Sequence, residues 1–116
     1  MLSVLVVEDN VAVRAAIARA LDRRGCSVTT ATNGLEGLEA VRARSFDVVI
    51  TDLNMPVMDG LQFLQERKRD PALASIPVLV ISAASASQAQ AMALGAADYL
   101  QKPIEELAAK ATSWSI

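Results

Sequence analysis

The sequence predicts an α/β fold built as a doubly wound parallel sheet. Two observations carry that expectation. Short apolar runs rich in β-branched residues alternate with segments of helical period along the chain, the rhythm of successive strand-helix units. Within the runs the apolar residues are consecutive rather than alternating, as in strands covered on both faces. A chain of 116 residues suits one domain with one core. Its 53% apolar share includes only 3% aromatic residues, so the expected packing is small-residue helices on a β-branched sheet.

Residues 2–7 form the first strand. Residues 11–24 form a helix with Val13, Ile17, Ala20 and Leu21 as its inner stripe, and Gly25 supplies a left-handed stop. Residues 26–31, shorter and more polar, suit a strand at the sheet edge. A second helix covers 33–44 with Leu35, Leu38 and Val41 inward; Gly37 weakens it by about 1 kcal/mol relative to Ala. Residues 46–51 form the third strand. The loop from Asp52 to Gly60 is punctuated by Pro56, and Asp59 is placed to N-cap a helix over 60–68. Pro77 is acceptable as the first residue of a fourth strand over 77–81. A fourth helix over 85–94 has a weak inner stripe, and 97–100 is a short fifth strand. A last helix over 104–111 carries Ile104, Leu107, Ala108 and Ala111 on one face.

Composition excludes several functions. Net charge is −2 and no Lys/Arg stripe exists, so direct nucleic-acid binding is not expected. Arg23-Arg24 and Arg67-Lys68-Arg69 fall near predicted helix ends, where cations suit the dipole. The single cysteine, Cys26, permits no internal disulfide and reads as a small core residue. The absence of histidine removes imidazole catalysis and imidazole metal ligands. Met1-Leu2-Ser3-Val4 shows no leader pattern, and no apolar stretch reaches the ~20 residues of a membrane span. The expectation is a soluble cytoplasmic protein that engages no membrane.

Five positions concentrate the chemistry: Glu8, Asp9, Asp52, Ser82 and Lys102. Each lies at or just past the carboxyl end of an apolar run, and in an open parallel sheet those ends share the ligand-binding edge. Two carboxylates at ~4 Å repel by ~4 kcal/mol at an effective dielectric of ~20. A hard divalent cation relieves that repulsion, and oxygen ligands suit Mg²⁺. The set therefore predicts a metal-dependent phosphoryl site with an aspartate acceptor.

Four segments carry a resemblance: Val6-Val7-Glu8-Asp9-Asn10, Asp52-Leu53-Asn54-Met55-Pro56-Val57-Met58-Asp59-Gly60, Ile81-Ser82-Ala83 and Asp98-Tyr99-Leu100-Gln101-Lys102-Pro103. In this order and spacing the chain resembles the receiver domain of the two-component response regulator family, of the single-domain, chemotaxis-regulator-like type. The resemblance spans essentially all 116 residues. It implies the flavodoxin-like receiver fold, strand order 2-1-3-4-5, with residues 1–116 as one receiver domain and no output domain.

By that resemblance Asp52 accepts the phosphoryl group. Glu8, Asp9, Asp52 and the backbone carbonyl of Asn54 hold Mg²⁺. Lys102, ahead of Pro103, pairs with the phosphoryl group, and Ser82 donates its hydroxyl to it. Ser82 and Tyr99 form the switch pair. N-capping of the first helix by Asp9 or Asn10 is compatible with metal binding. The donor is a phosphohistidine on a sensor histidine kinase or phosphotransfer protein, and the output is a surface around the fourth helix, fifth strand and fifth helix that meets a downstream effector. No enzymatic turnover is implied beyond self-phosphorylation and autodephosphorylation on Asp52.

Residues 83–96 carry no charge, which disfavours the salt-bridged dimers of many relatives; a monomer or weak dimer is expected. A receiver domain from a larger regulator or hybrid kinase is an alternative. A haloacid-type Mg²⁺-dependent phosphohydrolase is another, but it places Asp-x-Asp after its first strand, whereas here the acceptor follows the third and Asn54 stands two residues on. A flavin mononucleotide module would need a phosphate cradle where Glu8 and Asp9 stand.

Overall fold

Val4, Leu5, Val6 and Val7 have no exposed surface, and neither do Val48, Val49 and Ile50 or Val78, Leu79, Val80 and Ile81. Successive side chains on a strand point to opposite faces, so burial of every one requires cover on both sides of the sheet. The structure, a computed structural model, describes residues 1–82 and 87–101. In chain order it runs β1 (Ser3–Val7), α1 (Val11–Asp22), β2 (Ser27–Ala31), α2 (Gly34–Ala43), β3 (Val48–Asp52), α3 (Gly60–Arg69), β4 (Val78–Ser82), α4 (Gln88–Ala93) and β5 (Asp98–Gln101). The five strands are parallel in the order β2-β1-β3-β4-β5, as expected.

The two faces divide the core. On one, Ile17 and Leu21 of α1 pack with Val4, Val6, Val48, Ile50, Leu79 and Ile81. On the other, Leu38 and Val41 of α2, Phe63 and Leu64 of α3 and Ala91 of α4 pack with Leu5, Val7, Val49, Val78 and Val80. Each Val or Leu so buried contributes about 1.5–3 kcal/mol. Cys26 lies in the α1-facing cluster, and burial raises its thiol pKa against a smaller opposing effect of Arg24. Gly25 adopts φ +81, the left-handed stop that ends α1. β2 pairs only with β1 and is an edge, as its polarity predicts.

Three expectations need correction. Leu35 does not face inward; it is 42% exposed, and the inner stripe of α2 is Gly34, Gly37, Leu38 and Val41. Close approach is the reason: a Cβ on Gly37 would lie 2.9 Å from Val7 Cγ2, and one on Gly34 would lie 2.6 Å from the Met58 carbonyl oxygen. Gly37 therefore lets the helix sit down on β1, and its effect is not merely a loss of helix propensity. Arg67 is not a solvated helix-end cation. It is buried, and its guanidinium donates from Nε and Nη2 to Ile76 O (3.0 and 2.8 Å) and from Nη2 to Ala74 O (2.8 Å). Burial lowers its pKa, and three charge-assisted bonds to two carbonyl oxygens offset that cost.

Each strand begins one or two residues later than the periodicity suggests, and β3, β4 and β5 also end one residue later. Asp52 and Ser82 are thus the last residues of β3 and β4. α4 is short, lacks a side-chain cap and buries only Ala91, in keeping with its weak stripe. The expected last helix over 104–111 lies outside the described residues. Among the described residues no helix is long and apolar enough to cross a membrane.

Candidate functional site

The site grows from the ends of β1 and β3. Glu8 prolongs the β1–β2 ladder by one bond, its N–H donating to Ala31 O at 3.0 Å, and its side chain is fully buried. The chain then turns into α1. Asn10 is the N-cap: its side chain accepts from Val13 N at 3.0 Å, and its own N–H donates to Glu8 Oε2 at 3.2 Å. The capping role left open between Asp9 and Asn10 thus falls to Asn10. Arg14, one turn into α1, reaches back so that Nη1 contacts Glu8 O at 2.9 Å and Asp9 O at 3.4 Å.

Asp52 pairs in register with Ile81 and is 7% exposed. Its Oδ1 accepts from Leu53 N at 2.7 Å, and its carbonyl accepts from Thr51 Oγ1 at 2.9 Å. The following loop is held at three points. Gly60 N donates to Leu53 O (2.9 Å), Gly34 N donates to Met58 O (2.8 Å), and Asp59 and Gln62 form a reciprocal capping box on α3. Between these anchors Met58 N donates to Pro56 O at 2.8 Å around Val57, whose φ is +69. That is a γ-turn centred on a β-branched residue, a strained conformation.

The outcome is one acidic cluster. A carboxylate oxygen from each of Glu8, Asp9 and Asp52 lies within 4.8 Å of the other two; Glu8 and Asp52 are buried and Asp9 is exposed. Mg²⁺ holds oxygens at about 2.0–2.1 Å and retains several waters, so three hard oxygens at this spacing, one open to solvent, fit it with water completing the shell. Asn54 is exposed two residues beyond Asp52, in the same loop.

The remaining expected residues fall as follows. Ser82 is buried at the end of β4, next to the register partner of Asp52. Alternation along β4 puts it on the face of Val78 and Val80. Tyr99 pairs with Val80 and packs in the core cluster on that face, only 8% exposed. Lys102 and Pro103 lie outside the described residues. Sequence reasoning missed Arg14, because a basic residue in a first helical turn carries no signal that it will bond to carbonyls upstream. Glu36, nearby on α2, is held below the usual carboxylate range chiefly by the Thr32 N–H, with a lesser effect of the Arg14 charge.

A parallel sheet in this order belongs to the doubly wound class, whose ligands bind at the carboxyl ends of the strands, and here that edge carries a carboxylate cluster. A family model for the response regulator receiver domain matches residues 4–112. The chain is 41% identical over 105 residues to the DNA-binding transcriptional regulator NtrC of Escherichia coli K12, covering 88% of this chain and 22% of NtrC. It is 40% identical over 104 residues to the transcriptional regulatory protein CseB of Streptomyces avermitilis, covering 88% of this chain and 43% of CseB. It thus spans less than half the length of these relatives.

Among solved structures it is similar to the chemotaxis response regulator CheY4 of Vibrio cholerae (TM-score 0.87, 31% identity, 99% of this chain and 98% of that one). It is also similar to the receiver domain of the sensor histidine kinase PA1611 of Pseudomonas aeruginosa PAO1, solved with a magnesium ion coordinated in the active site cleft (TM-score 0.90, 25% identity, 97% and 96% covered). The chain belongs to the response regulator receiver family: it is a receiver domain of the two-component signalling systems, a phospho-acceptor switch module.

Proposed function

We propose that this receiver accepts a phosphoryl group on Asp52, in a Mg²⁺-dependent reaction, from a phosphohistidine of a sensor histidine kinase or phosphotransfer protein. The single observation that carries the reading is the convergence of Glu8, Asp9 and Asp52 carboxylate oxygens within 4.8 Å. A carboxylate oxygen of Asp52 attacks phosphorus, the P–N bond to the donor imidazole breaks, and the imidazole leaves with the electron pair. Glu8, Asp9, Asp52 and the Asn54 carbonyl would hold the metal, which supplies charge neutralisation for the phosphoryl oxygens.

The Leu53 N–H to Asp52 Oδ1 bond fixes the carboxylate so that one oxygen is oriented by the backbone. Lys102 offers the phosphoryl group an ammonium. Ser82 offers it a hydroxyl, and Tyr99, on the same face as Ser82, follows that hydroxyl as the second half of the switch. The changed surface around α4 and β5 then meets an effector protein in the cytoplasm. By the lack of charge over 83–96, this surface acts as a monomer or weak dimer.

Incubation with acetyl phosphate and MgCl₂, followed by intact-mass measurement, tests the reading. One phosphoryl group is expected on the wild-type chain and none on Asp52→Asn; label on that variant removes Asp52 as acceptor. Lys102→Ala should keep Mg²⁺ affinity and lose signalling in cells, and retained signalling rejects its role.

A further inference from the structure

The acidic cluster poses a mechanical question. Glu8 and Asp9 are adjacent, yet one side chain is buried and the other exposed, and both present an oxygen to the same small volume. Adjacent residues at a strand end diverge by default, since consecutive side chains point to opposite sides. Convergence therefore depends on how the backbone turns between β1 and α1. Two devices hold that turn. Asn10 caps α1 and donates its N–H to Glu8 Oε2. Arg14 then ties down the peptide carbonyls themselves, with Nη1 on Glu8 O and within 3.4 Å of Asp9 O. Its backbone N–H bonds Asn10 O at 2.9 Å, so the guanidinium is launched from the first turn of the helix that the turn feeds.

We propose that Arg14 is a positioning residue of the metal site: by clamping the carbonyls of Glu8 and Asp9 it sets the turn that makes their carboxylates converge with Asp52. The inference rests on the Mg²⁺ reading above and assigns a role within it. The charge and the geometry of Arg14 act in opposite directions. As a cation beside the cluster it repels Mg²⁺, so a purely electrostatic Arg14 weakens metal binding and its removal tightens it. As a clamp it strengthens binding, and its removal loosens it. The sign of the change therefore separates the two roles.

Mg²⁺ is titrated by isothermal calorimetry into the full chain as wild type, Arg14→Ala, Arg14→Lys and Glu36→Gln, well below the unfolding temperature of each. Outer partners of metal ligands typically matter by about tenfold or more in affinity, and the Mg²⁺ Kd of Arg14→Ala is expected to rise by about tenfold. Arg14→Lys keeps the charge and can still place one ammonium on the Glu8 carbonyl, a partial clamp, so its Kd should fall between wild type and Arg14→Ala. Glu36→Gln removes the neighbouring acid on α2 and should change Kd by less than either Arg14 variant.

An Arg14→Ala Kd that is unchanged or lower overturns the proposal. So does an Arg14→Lys Kd equal to wild type, because the guanidinium contacts to the Glu8 and Asp9 carbonyls are then not needed to hold the turn. A purely structural role would lower the unfolding temperature of the metal-free chain and leave Kd of the folded fraction alone, which counts against the proposal too. If the wild-type chain itself takes up no Mg²⁺, the functional reading falls and this inference with it. If the wild type binds and Arg14→Ala binds equally, only this inference falls.

Discussion

Gly60 rests on the carbonyl of Asp52. A Cβ built on Gly60 would overlap that oxygen and come within 2.9 Å of Leu53 Cα, and both neighbours are backbone that cannot rotate away. The first turn of α3 is thereby pressed against the strand end that carries the proposed phosphoryl acceptor, and Gly60 N closes the contact by bonding Leu53 O.

Gly60→Ala should therefore destabilise the fold by about 1–3 kcal/mol, the range for forced overpacking. It should also displace Leu53, whose N–H orients Asp52 Oδ1. Urea unfolding reads the first effect, and the rate of labelling by acetyl phosphate in the folded protein reads the second. Both are expected to fall together.

Val57→Gly should act in the other direction. A β-branched residue at φ +69 carries about 1–3 kcal/mol of strain, and glycine removes it while adding roughly 1 kcal/mol of unfolded-chain entropy. The net expectation is a small stabilisation, read as a thermal midpoint raised by up to several degrees. A lower midpoint would show that the side chain is supported by contacts that outweigh the strain.

Removal of metal should expose the repulsion inside the cluster. In EDTA, Asp9→Asn should be more stable than wild type by about 1 kcal/mol, discounted from a dry-site value because Asp9 is exposed. In excess Mg²⁺ the order should reverse, since only the wild type gains the full binding contribution. Thermal unfolding of both proteins in the two buffers checks the crossing.

Cys26 gives a pH test. Its folded pKa is raised by burial, so the unfolded thiol ionises at lower pH than the folded one. Stability from this group is complete below the unfolded pKa and is lost as pH rises through the folded value. Cys26→Ala should thus flatten the alkaline loss of stability, and in the native wild type Cys26 should react slowly with a thiol reagent until the chain unfolds.

Much of the fold and part of the site are legible in the sequence for a physical reason. Two-sided burial forces contiguous apolar runs, so β1, β3 and β4 stand out, with the more polar β2 and β5 marked by their places between helical segments. The carboxylates stand out because they terminate those runs. Helix rotation is less visible: Leu35 looks like a core residue until Gly34 and Gly37 are seen facing Met58 and Val7. The roles of Arg14 and Arg67 are set by which backbone carbonyls come within reach, and nothing in the identity of residues 8, 9, 74 or 76 announces that. The sign of φ at Val57 is equally silent, since valine gives no hint of a left-handed turn.

Arg67 has a further consequence. Its guanidinium grips the carbonyls of residues 74 and 76 from within α3, so the path between that helix and β4 is measured against a side chain of fixed length. Substitutions at the exposed positions between 71 and 75 can be absorbed, whereas Leu73 is core; an inserted or deleted residue would pull the acceptors out of reach and leave a cation stranded inside the protein. Variation in this stretch should therefore be written in residue types and almost never in residue number.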